Sequence, residues 1–232
     1  MSRAIPDGRP EDVAAAVALA WGDVPERRAS AFHRFRRQTS REIAGLPPGL
    51  VLGMALELKL AHGLRGLACS LIRCHAGAFA RVDRRLLEQL GEGMDTWWAV
   101  DGFARLLSGP AWLHGSIGDE AVMDWAGSDD LWWRRAALVS TVALNMRSQG
   151  GYGDTRRTLM VCGPLVGDRE DMVVKAMSWA LRELVVHDPA AVGSFLDRHC
   201  STLAARVRRE VRNKLKTGLK NPRRAVEAGE GG

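Results

Sequence analysis

A chain of 232 residues, 46% hydrophobic and 26% charged, can bury a full core, which excludes an intrinsically disordered polypeptide. No stretch approaches the ~18 uninterrupted apolar residues of a membrane span, and Met1 to Asp12 is polar where a secretory signal needs an apolar run, so a cytoplasmic protein is expected. The net charge of +6 and a pI near 9.6 favour an anionic partner.

Every element that the chain predicts is a helix. Pro10-Glu11-Asp12 opens an Ala-rich helix that runs to Trp21 and stops at Gly22, and Pro25-Glu26-Arg27 opens a second that runs to about Ala44. Pro47-Pro48-Gly49 breaks the chain. Leu50, Met54, Leu58 and then Leu64, Leu67, Leu71 recur at helical spacing, which predicts two further helices or one kinked one. Val82 to Leu90 reads as a short helix ended by Gly91 and Gly93.

Asp95 then fits the N-cap or first turn of a helix that continues to about Leu107 and is closed by Gly109-Pro110. Within it, Trp97 and Asp101 are four residues apart and share a face, with their Cβ atoms about 6 Å apart. A flat π surface beside an anion suits a site that holds a cation. Trp98 points about 100° away and is predicted to pack into the layer beneath. The same spacing also fits a core tryptophan with a carboxylate on a solvated edge.

The second half repeats the plan. Pro110 to Ala126 reads as one helix, with a break at Gly115 to Gly118 as the alternative, and Ser128-Asp129-Asp130 caps a helix that continues to Met146. Gly150-Gly151-Tyr152-Gly153 reads as a flexible joint. Asp154 to Val166 and Asp168 to Val186 are the next helices, and His187-Asp188-Pro189 turns into another that ends in a basic segment. That segment, Arg206, Arg208, Arg209, Arg212, Lys214, Lys216, Lys220, Arg223 and Arg224, is interrupted by a single acid, Glu210. It reads either as a strip that binds a nucleic-acid backbone or an acidic surface, or as a basic tail with no specific role. Residues 222–232 are expected to be disordered, which leaves residues 1–221 as a single domain.

Cys69, Cys74, Cys162 and Cys200 have no CxxC spacing and read as small buried hydrophobes in a reducing compartment. The six histidines are scattered, and none is assigned a role. Helices of about 12 to 20 residues joined by short Gly or Pro breaks suit a solenoid of antiparallel helix pairs, with a compact bundle as the alternative.

Three stretches, in order, carry a resemblance: Trp97 to Asp101, Asp130 to Ala137, and Val174 to Glu183. They look like the signature stretches of the AlkD family of DNA alkylation repair glycosylases. Leu60 to Ala68 resembles that family's early helix but has Gly63 where an acid is usual. The resemblance implies an all-α fold, a right-handed solenoid of antiparallel HEAT-like helix pairs with a concave basic face against duplex DNA. It further implies a monomeric, nucleoid-associated, monofunctional DNA glycosylase of base excision repair. Such an enzyme hydrolyses the N-glycosidic bond of cationic N3- or N7-alkylated purines without base flipping and needs no metal or cofactor.

Carried over by residue, Asp101 matches the catalytic carboxylate, and Trp97 and Trp179 match aromatic walls. Arg135 matches an arginine near the lesion's backbone and Arg182 a phosphate contact. Arg134, Lys175, Arg208, Arg209 and Arg212 join the expected DNA-binding set. The Gly-rich joint and the basic C-terminal helix depart from the pattern, which leaves the adduct size open, from methyl to a bulky natural product met in self-resistance. A non-catalytic HEAT-like protein that binds distorted DNA is the alternative. A protein-binding scaffold would want an apolar face in place of Arg134, Arg135, Arg156, Arg157 and Arg182.

Overall fold

A computed structural model describes residues 8–26 and 28–222, and every regular element among the described residues is helical. The α-helices are α1 (Pro10–Gly22), α2 (Ala29–Glu42), α3 (Pro48–Leu60), α4 (Arg65–Cys74), α5 (Ala76–Phe79), α6 (Arg84–Gly91) and α7 (Trp97–Phe103). They continue with α8 (Gly109–Leu113), α9 (Asp119–Ala126), α10 (Leu131–Asn145), α11 (Thr155–Cys162), α12 (Asp171–Leu184), α13 (Pro189–Arg198) and α14 (Ala205–Thr217). No helix of the described residues is long and apolar enough to cross a membrane.

Start signals explain six of the helix starts. Proline occupies the first turn of α1, α3 and α13, where its missing N–H costs nothing. Asp83, Asp130, Asp154 and Asp188 each accept a backbone N–H from the first turn of α6, α10, α11 and α13. Packing then runs in series, α1 on α3, α3 on α4, α4 on α7, α7 on α10, α10 on α12 and α12 on α14, with α8 and α9 also packed on α10. Helix α10 packs against α7, α8, α9, α11 and α12, and every residue from Arg135 to Asn145 is buried. A helix surrounded in this way needs apolar residues on all sides, and Ala-Ala-Leu-Val supplies them just after Arg135. Phe103, fully buried, meets the edge of Trp133 with ring centroids 6.0 Å apart and Trp125 at 6.2 Å, joining α7 to α9 and α10.

Several predicted boundaries move. The second helix begins at Ala29 and not at Pro25, and the short α5 follows α4 without having been expected. The stretch from Pro110 to Ala126 takes the alternative, a break across Gly115 to Gly118 that separates α8 from α9, and the segment after His187 forms α13 and α14 in place of one helix. Thr96, not Asp95, is the N-cap of α7, and it makes no side-chain capping bond. Gly109-Pro110 does not close the helix that begins at Trp97. Residues 104–108 form a π turn in which the Gly109 N–H donates to the Ala104 carbonyl, and α8 continues from it. Glycine is required there by close approach, since an added Cβ would lie 2.8 Å from Ala143 Cβ and from the Ser140 carbonyl.

The glycine joint is a packed element and not a loose hinge. Gly151 N–H donates to the Met146 carbonyl at 3.0 Å and Gly153 N–H to the Leu144 carbonyl at 3.1 Å. Gly153 has φ +93°, and its α-carbon abuts the His187 ring. The buried Asn145 binds the joint further: its amide nitrogen donates to Thr158 Oγ1 at 2.9 Å, and its side-chain oxygen accepts the Asp154 N–H at 3.1 Å. Arg223, Arg224 and the tail expected to be disordered lie outside the described residues.

Candidate active site

Helix α7 buries Ala99, Val100 and Phe103, which turns Trp97 and Asp101 toward its other side. Trp97 is 55% exposed. Trp98, predicted to pack inward, is 60% exposed, because Ala99, Val100 and Phe103 already fill the inner stripe of this short helix. Two indoles therefore face solvent side by side at the N-terminus of α7.

Asp101 meets Arg135 of α10 in a two-pronged ion pair. Arg135 Nε donates to one carboxylate oxygen and Nη2 to the other, both at 3.0 Å, and Nη1 donates to the Met172 carbonyl at 2.5 Å. One guanidinium thus ties α7, α10 and the start of α12 together. The arginine side chain is 6% exposed and the aspartate 17%, so the pair is largely desolvated while one edge of the carboxylate still reaches water. Burial pushes the Asp101 carboxyl above the ordinary carboxylate range, and the charge and hydrogen bonds of Arg135, followed by the charge of Arg105, pull against it.

Trp179 lies half-buried on α12, and its indole N–H donates to Glu183 Oε1 at 3.0 Å. The guanidinium of Arg105, on the π turn, sits over the Trp179 ring at 5.5 Å from its centroid. Asp101, Arg105, Arg135 and Trp179 therefore form one connected group across α7, α10 and α12. Trp97 stands one turn from Asp101, and among the described residues no ring contact joins it to Trp179.

Beside this group lies a cleft of about 360 Å³ lined by Arg135, Lys175, Trp179, Arg182, Arg206, Glu210 and Lys220. Five cations surround one acid. Glu210, buried on the inner face of α14, accepts Ser178 Oγ at 2.7 Å and pairs with Lys220 Nζ at 3.4 Å. Arg182 Nε donates to Ser178 Oγ at 3.3 Å. Burial lowers the Arg182 pKa, with the charges of Glu210 and Glu183 opposing, and a guanidinium stays protonated regardless. Lys175 and Arg206 share Asp171 at 2.7 and 2.6 Å, and the two cations hold that carboxyl below its ordinary range.

The remaining sequence-predicted cations are placed elsewhere. Arg134 donates to Asp168 at 2.8 Å and to the Ser128 and Asp129 carbonyls at 3.0 and 2.8 Å. It clamps the loop before α10 to the loop before α12 and does not line the cleft. Arg208 is half-buried, whereas Arg209 and Arg212 are exposed, with acids no closer than 3.9 and 4.0 Å. Among the described residues no three of His, Cys, Asp and Glu are grouped so as to hold a metal ion. Sequence reasoning missed Arg105, although it lies four residues after Asp101 and so on the same helical face.

Comparison with known proteins adds one finding. The sequence profile of a protein family described as DNA alkylation repair enzyme matches residues 27–215. No curated protein and no solved structure matches the chain.

Proposed function

The chain belongs to the DNA alkylation repair enzyme family, and from that premise we propose that it is a DNA glycosylase that releases cationic N3- or N7-alkylated purines from duplex DNA by hydrolysis. The observation that carries this reading is a single carboxylate, Asp101, held by Arg135 beside exposed indoles and a cationic cleft.

An alkylated purine is already a cation. When its C1′–N bond breaks, the electron pair stays on the purine nitrogen and the base leaves neutral, so no general acid is needed and one carboxylate suffices. Positive charge moves onto the sugar as an oxocarbenium ion. Ionised Asp101 stabilises that charge, and water adds its oxygen to C1′ while its proton passes to the carboxylate or to solvent. Each carboxylate oxygen engaged by Arg135 keeps a further acceptor lone pair. Trp97 presents an exposed π face that attracts a cation by about 0.5–2 kcal/mol when desolvated, and Trp179, which already carries Arg105, forms a second wall, which favours charged lesions over neutral bases without an enclosing pocket. With no enclosing pocket required, the base need not flip. The cations of the cleft other than Arg135, whose fork is held by Asp101, hold the duplex backbone.

The test is direct. A duplex with one N7-methylguanine is incubated with the protein and a metal chelator, and released base is quantified by chromatography with mass detection. Free methylguanine with an abasic strand is the expected product. Tight binding without any released base would instead favour a non-catalytic protein that recognises distorted DNA.

A further inference from the structure

We propose that Arg105 is a phosphate-binding residue at the lesion, presented from the π turn and stacked on Trp179, in the place that sequence reasoning gave to Arg135. The inference rests on the reading above only in taking duplex DNA as the partner.

The arginines around Asp101 differ in what their donors already hold. Arg135 spends its fork on Asp101 and a backbone carbonyl, and Arg134 is engaged by Asp168 and two carbonyls. Arg182 bonds Ser178, and Arg206 pairs with Asp171. Arg105 is different. Among the described residues no hydrogen bond or ion pair engages its guanidinium, and its Nε is buried without a partner. A guanidinium has five N–H donors, and leaving a buried one unmet is costly. The cost is tolerated where a ligand completes the site.

The surroundings identify that ligand as an anion. The Arg105 side chain shares a helical face with Asp101, and its charge lies over Trp179, which also lines the cationic cleft with Lys175, Arg182, Arg206 and Lys220. A stacked, planar fork with free donors matches two phosphate oxygens. The neighbouring cations continue the path for a polyanionic strand. The turn that carries Arg105 is of the π type, a local widening found often at functional sites, and Ser108, at its end, is locked to Ser140 of α10 by a 2.7 Å hydrogen bond. Arg105 is thus offered from a rigid support.

The experiment measures binding of a short undamaged duplex as a function of salt for the wild type, Arg105→Gln, Arg105→Lys and Arg135→Gln, with thermal melts in the same buffers. Arg105→Gln should lower the magnitude of the log K against log salt slope by about 0.9, one phosphate's worth, and weaken binding about tenfold at physiological salt. Arg105→Lys should retain the slope and still bind less tightly, since a point charge cannot fork. Arg135→Gln should keep the wild-type slope and melt at a lower temperature. A wild-type slope in Arg105→Gln, or a slope loss confined to Arg135→Gln, would overturn the assignment. Base release from an alkylated duplex is followed in parallel. A wild type that binds but releases no base defeats the glycosylase reading and leaves the assignment standing; release with an unchanged Arg105→Gln slope defeats the assignment alone. Absence of duplex binding by the wild type defeats both.

Discussion

Replacing Arg135 by methionine would strand the Asp101 carboxylate. The arginine side chain is 6% exposed and the aspartate 17%, so the pair lies in the regime where removal of one partner leaves an uncompensated buried charge, at a cost of about 3–5 kcal/mol. Two features move the expected value to the lower end. Asp101 keeps an edge in water, and it can take up a proton. Adding about 1 kcal/mol for the Met172 carbonyl that loses its donor, the net loss is about 4 kcal/mol, which for a chain of this size lowers the melting temperature by about 8–16 °C. The pH dependence follows from the direction of the Asp101 shift. Burial raises its pKa and Arg135 opposes the rise, so without Arg135 the folded value climbs further above the unfolded value near 3.9. Above that folded pKa the penalty is complete, and it fades as pH falls toward the unfolded value, because both states then bind the proton. Calorimetry at about pH 7.5 and about pH 5 should therefore show a smaller deficit at the lower pH. The variant Arg135→Met with Asp101→Asn should recover most of the loss. In residual base release, the acid limb of Arg135→Met should lie at higher pH than that of the wild type. Equal deficits at both pH values, with no recovery in the double variant, would refute the account of a desolvated pair.

Further outcomes follow from the same geometry. Trp97→Ala should slow single-turnover base release by the loss of about 0.5–2 kcal/mol of cation attraction, roughly 2- to 30-fold, and Trp179→Ala should slow it by removing a wall and the ring that holds Arg105; unchanged rates in both would remove the indoles from the site. With Trp97 open to solvent and no enclosing pocket required, a bulky N3- or N7-linked adduct should leave at a rate comparable to the methyl adduct, whereas rejection of the bulky adduct alone would point to packed walls, with overpacking costs of about 1–3 kcal/mol. Gly109→Val should lose about 3 kcal/mol or more, since its side chain would push into Ala143 and the Ser140 carbonyl; a thermal melt within a degree or so of the wild type would contradict the close approach of the π turn to α10.

Local chemistry made much of this legible in the sequence. The Asp130 cap and the apolar run after it marked α10, and the four-residue spacing placed Trp97 and Asp101 on one face before any contact was known. Contacts between distant segments were not legible. Arg135 sits far from Asp101 in the chain, and nothing in its own stretch distinguishes an arginine that grips a carboxylate from one that grips a phosphate. Gly109-Pro110 read as a stop because both residues end ordinary helices; the π turn, whose Gly109 N–H reaches back to Ala104, lets the helix continue through them. The joint at Gly150 to Gly153 read as flexible for a similar reason, since composition does not reveal that the Gly153 α-carbon abuts the His187 ring. Trp98 was expected inside by rotation about the helix axis, yet the small Ala99 and the apolar Val100 and Phe103 suffice to fill that side.

The most direct test of the central claim is single-turnover release of methylpurine from duplex DNA by the wild type and Asp101→Asn at saturating protein, with binding measured on the same duplex. The amide keeps the shape of the carboxylate and loses the charge that matters mainly in the transition state. Base release should fall by orders of magnitude while affinity for the duplex stays within a few-fold of the wild type. Release by Asp101→Asn at the wild-type rate would contradict the assignment of Asp101 as the group that stabilises the oxocarbenium charge on the sugar.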